Sequence, residues 1–118
     1  MRVTKELLEQ WGACRRGREW FTKTFPDGGD KTMEDWLKAM PEDRPNDKLW
    51  FLYQTVMSKD SGKDGDAALK LFADTAKIQQ AQSVVHVIKE RDPSLRDTTA
   101  AEQAIADRVS KEGASDGV

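Results

Sequence analysis

The residues best suited to chemistry in this chain are its single cysteine and its single histidine. Cys14 stands in GACRRGREW, beside Arg15, Arg16 and Arg18. A helix N-terminus and neighbouring cations both lower a thiol's pKa, so a reactive thiolate would be sought here. A cysteine nucleophile also needs a base within reach. His86 lies far along the chain, inside the apolar run Val84-Val85-His86-Val87-Ile88. One cysteine and one histidine on different helices make no catalytic signature. Cys14 is therefore expected to be a small packed hydrophobe, and the chain is not expected to be an enzyme.

Metal and phosphate chemistry find less. There is no CxxC, no HxxxH and no Cys/His cluster. Asp27, Asp30, Glu34 and Asp35 lack the spacing of a calcium loop, and DSGKDGD at residues 60–66 lacks its closing glutamate. Gly62, Lys63 and Gly65 precede a helix whose backbone N–H groups suit an anion. Asp60, Asp64 and Asp66 would repel one. No catalytic, cofactor-binding or metal-binding residue is expected.

Binding surfaces remain. Asp27, Asp30, Glu34 and Asp35 flank the turn Pro26-Asp27-Gly28-Gly29; Glu42, Asp43 and Asp47 flank Pro41 and Pro45. Together they form a candidate acidic rim for a basic surface on a partner. The alternative is nucleic acid, held by Arg15, Arg16 and Arg18, with Lys89, Arg91 and Arg96 in support. The arginines spread over more than one helix face, and interleaved Trp20 and Phe21 serve better as core. The formal net charge of −2 also argues against a nucleic-acid binder.

These residues must be positioned by 118 residues, enough for one modest core. Four tryptophans and four phenylalanines make that core feasible. A single cysteine allows no internal disulfide, which suits a reducing cytoplasm. The start, MRVTKELLEQWG, has no signal-peptide core, and no window is apolar enough to span a bilayer.

The apolar spacing predicts about six helices and no strand, an all-α fold: a small domain of short helices followed by a helical hairpin. Thr4 caps a first helix carrying Leu7, Leu8 and Trp11, and Gly12 ends it. A second runs from about Ala13 to Thr24, where Gly17 lets another backbone pack close. Thr32 opens the helix Met33–Met40, and Asn46 caps Asp47–Ser58. Residues 1–58 make an aromatic-rich cluster and 59–65 a linker. Residues 66–112 form the hairpin: a long helix over 66–91 with a weak heptad at Leu71, Ile78 and Val85, then a helix capped by Thr99 and ending near Lys111. Residues 113–118 read as a frayed tail.

One resemblance extends this reading. Residues 4–26, TKELLEQWGACRRGREWFTKTFP, resemble a pattern found in small proteins of bacteriophages and prophages. The pattern is LL-x3-GAC-x2-G-x2-WF-x3-FP, carried here by Leu7, Leu8, Gly12, Ala13, Cys14, Gly17, Trp20, Phe21, Phe25 and Pro26. It brings no catalytic residue with it. It implies a non-enzymatic protein of the bacterial cytoplasm that binds a host protein complex. A concrete form is an inhibitor of host defence, such as an anti-CRISPR protein. The alternative is a nucleic-acid-binding accessory or regulatory protein. The C-terminal helices are the expected route to a homodimer, and no cofactor or membrane contact is implied.

Overall fold

The computed structural model describes residues 1–116, with side chains described as far as Lys111. The architecture is helical, as expected, with seven helices and one minimal two-stranded sheet among the described residues. The chain divides into two compact units, Met1–Lys48 and a second beginning at Leu49.

In the first unit, β1 (Arg2–Val3) leads into α1 (Lys5–Gln10), then α2 (Arg15–Thr24), β2 (Gly29–Asp30) and α3 (Met33–Ala39). Thr4 caps α1 by accepting the Leu7 N–H, and Thr32 caps α3 by accepting the Asp35 N–H, each at 3.1 Å. Gly12 follows the last turn of α1 with φ +76, the left-handed conformation glycine adopts without strain. The strands were not expected: two residues each are too short for any alternation to register. They pair antiparallel, Arg2 with Asp30 and Val3 with Gly29. Gly28 makes that pairing possible, because its φ is +75 and a side chain there would meet the Val3 carbonyl at 2.8 Å.

An aromatic cluster fills this unit. Phe21 and Trp36 are buried, with Phe25 between them, its ring centroid 5.5 Å from Phe21 and 5.2 Å from Trp36. Buried Trp36 needs a partner for its indole N–H, and donates it to the Met1 carbonyl at 2.7 Å. Gly29 sits so close to the indole that a Cβ would lie 3.0 Å from Cη2. Gly17 differs from expectation: no other backbone approaches it, and a Cβ would meet only Cys14 Sγ at 3.5 Å. Gly17→Ala should therefore stabilise the protein by about 0.5–1 kcal/mol, because alanine loses less backbone freedom in a helix. Urea unfolding checks this; destabilisation would mean that the added methyl meets a close contact.

Helix α4 (Pro45–Met57) starts earlier than expected, because Pro45 takes the first helical position, where its missing N–H costs nothing. Asn46 therefore lies inside the helix and is not its cap.

The second unit holds α5 (Gly62–Thr75), α6 (Ile78–Arg91) and α7 (Thr99–Asp116). Two expectations fail here. Helix α5 begins inside the stretch expected to be a linker. The single helix expected over 66–91 is also broken, because Ala76 turns extended at ψ 162 and buries itself completely. The Leu71, Ile78 and Val85 heptad is therefore split between two helices and forms no continuous seam. Thr99 is the first residue of α7 and not its cap; Asp97 accepts the Thr99 N–H at 3.0 Å. That bond holds the Asp97 carboxyl below its usual value. Helix α7 runs to Asp116, past the expected end near Lys111, and the last two positions of the expected tail, 117–118, lie outside the described residues.

Two arginines tie α5 to the segment carrying α7. Arg96 is buried; it donates to the Ser58 carbonyl at 2.6 Å, to the Ser61 hydroxyl and to the Leu95 carbonyl at 3.1 Å. Its guanidinium lies against Gly65, where a Cβ would overlap it and the Ser61 hydroxyl. At the other end, Arg108 donates to the Ala73 carbonyl at 2.6 Å. That carbonyl is in the last turn of α5, where carbonyls lack helical partners and a cation meets the negative end of the dipole. Arg108→Ala should cost about 1–3 kcal/mol of stability, measured by urea unfolding, with Arg108→Lys recovering part of the loss.

Candidate functional site

Cys14 is exposed, against the expectation of a packed residue. It is the N-cap of α2, with its backbone extended and its Sγ accepting the Gly17 N–H at 3.4 Å. A sulfur can fill this position because the first-turn amides need any acceptor. Serine does the same work better, so Cys14→Ser should raise stability by a few tenths to about 1 kcal/mol. Thermal unfolding reads this directly, and a loss would show that the thiol has packing contacts that the cap geometry does not explain. His86 is also exposed, 3.4 Å from Glu90 on the next turn of α6. It is in the second unit, whereas Cys14 is in the first. Among the described residues no three His, Cys, Asp or Glu side chains gather closely enough to hold a metal ion.

The three arginines of α2 fall into different surroundings. Arg15 is paired with Glu19 at 2.8 Å, one turn on. Arg18 is half-buried, with its Nε buried and unpartnered, and Arg16 is exposed. Of the supporting residues, Lys89 is paired with Glu102 at 2.8 Å and Arg91 is exposed. Arg96 is the correction: its side chain is only 6% exposed and its two terminal nitrogens donate to backbone and serine oxygens, which withdraws it from a phosphate. Arg15, Arg16 and Arg18 belong to the first unit, and Lys89, Arg91 and Arg96 to the second.

The acidic residues are arranged differently. All seven lie in the first unit, and all but half-buried Asp47 are exposed. Local structure explains where they sit. Asp27 occupies the turn before Gly28. Asp30 is in β2, 3.2 Å from the Met1 amino nitrogen. Glu34 and Asp35 are in the first turn of α3 and Asp47 in that of α4, where the helix dipole favours a negative charge. Glu42 and Asp43 lie in the loop between α3 and α4.

Part of this charge is answered locally. Arg44 approaches Asp47 at 3.7 Å, and Lys48 approaches Glu42 at 3.4 Å. Lys31 is turned to the aromatic cluster, 5.7 Å from the Phe25 ring centre and 5.8 Å from that of Trp36. Residues 27–47 carry seven acidic and three basic side chains, whereas residues 1–26 carry six basic and three acidic. The first unit therefore has an acidic half and a basic half along its sequence. Composition summed over the whole chain hides this, because the two halves cancel. Asp27, Glu34, Asp35 and Asp43 stand exposed outside the ion pairs described.

An open groove of about 620 Å³ runs between α6 and α7, floored by Val85, Ile105 and Val109. Val109 is one of the large apolar side chains left exposed, and the Lys89–Glu102 pair lines the same groove. Sequence reading missed it, because Val109 appears there only as one more apolar position of a helix face. No helix among the described residues is long and apolar enough to cross a membrane.

Residues 1–59, half of the chain, match the sequence family described as the YdhT N-terminal domain. No curated protein and no solved structure matches the chain.

Proposed function

We propose, from the premise that the chain belongs to the YdhT N-terminal domain family through residues 1–59, that it is a non-enzymatic protein that acts by binding another protein. The observation that carries this reading is the exposed acidic run of residues 27–47 on the surface of the first unit. Carboxylates gathered on one stretch of surface steer a basic partner, raising its association rate more than its final affinity. The partner surface is therefore basic, of the kind that otherwise meets nucleic acid. A host-defence effector of the CRISPR type presents such a surface, and the resemblance to phage and prophage proteins supports that choice. Nucleic acid itself is the weaker reading, since Arg15 is paired and Arg96 is buried.

The test is affinity capture from a bacterial lysate with the full chain, before and after nuclease. It is run in parallel with the triple variant Asp27→Asn, Glu34→Gln, Asp43→Asn. These three side chains are exposed, so the variant should fold as the parent does. A protein retained after nuclease should lose at least about tenfold in affinity with the triple variant, and its association should slow steeply with salt. Equal capture by both proteins would overturn the acidic-face reading. Loss of every captured protein on nuclease treatment would transfer the function to nucleic acid. Sedimentation velocity on the same samples reads whether the C-terminal helices bring two copies together.

A further inference from the structure

We draw no further inference here: the strongest candidate, the open groove between α6 and α7 floored by Val85, Ile105 and Val109, is an unpartnered apolar face, and nothing in the structure shows what covers it.

Discussion

Gly65→Ala should destabilise the protein by about 2–4 kcal/mol, although alanine is the better helix former by about 1 kcal/mol. The reason is local. A Cβ at residue 65 would occupy the space of the Arg96 guanidinium and the Ser61 hydroxyl. The guanidinium is buried and donates to the Ser58 and Leu95 carbonyls and to Ser61, so displacing it strips several oxygens of a charged donor at once. Hydrogen bonds to charged groups contribute about 1.5–3 kcal/mol each, and leaving a buried group unpaired costs its full desolvation. Asp66 adds little, because its carboxylate is 3.9 Å from Nε and largely exposed.

A double-mutant cycle isolates this effect. Arg96→Ala alone should cost a similar amount. Adding Gly65→Ala to it should cost much less than Gly65→Ala in the parent, because only the Ser61 hydroxyl then has to turn aside. Urea unfolding of the four proteins gives the coupling energy, expected to exceed about 1 kcal/mol. Strict additivity would show that Arg96 and Gly65 act independently, and the contact would lose its explanation. Hydrogen exchange adds a spatial check: Arg96→Ala should raise exchange at residues 58–66 and 92–99 before it does so in α6.

The second large effect is in the first unit. Trp36→Ala should cost about 3–5 kcal/mol, the range for emptying a buried aromatic site. Trp36 is 3% exposed and touches Phe21, Phe25 and the Gly29 backbone. The glycine backbone is fixed by pairing with Val3, so it cannot close fully on the cavity. Trp36→Phe keeps much of the ring packing and loses the bond to the Met1 carbonyl, for a smaller cost of about 1–2 kcal/mol. Denaturant unfolding of both variants separates volume from hydrogen bonding. Equal losses would make the indole N–H the main contribution, and a negligible loss for Trp36→Ala would mean that the cluster does not hold this unit together.

Most helices were legible because their ends carry chemistry. Thr4 and Thr32 cap as expected, and Gly12 stops α1 for a conformational reason visible in its residue type. The break at Ala76 was not legible. It has no glycine or proline to announce it; the structure shows an extended, fully buried Ala76 where the sequence reads as continuous helix. Cys14 was misplaced for a related reason. Its small apolar character suggested burial, whereas the position selects for an acceptor that can reach the first-turn amides. Arg96 looks like a surface cation in the sequence, because arginines usually are; only the fold reveals the serine and carbonyl oxygens that hold it. The acidic residues of 27–47 lie at helix starts, in β2 and in loops, and all but Asp47 are exposed.

The two arginine contacts share one further property. Arg96 meets Ser61 and Arg108 meets Ala73 across the same separation of 35 residues. Both partners advance together, so α5 and α7 run in the same direction, in register. Closing the first contact costs loop entropy of about 3 kcal/mol. The second then falls into place with almost no additional loop to close. The pair therefore behaves as a zipper with a costly first tooth. Synthesis sets an order: Arg96 emerges before Arg108, so the contact at Ser61 can form before the one at Ala73.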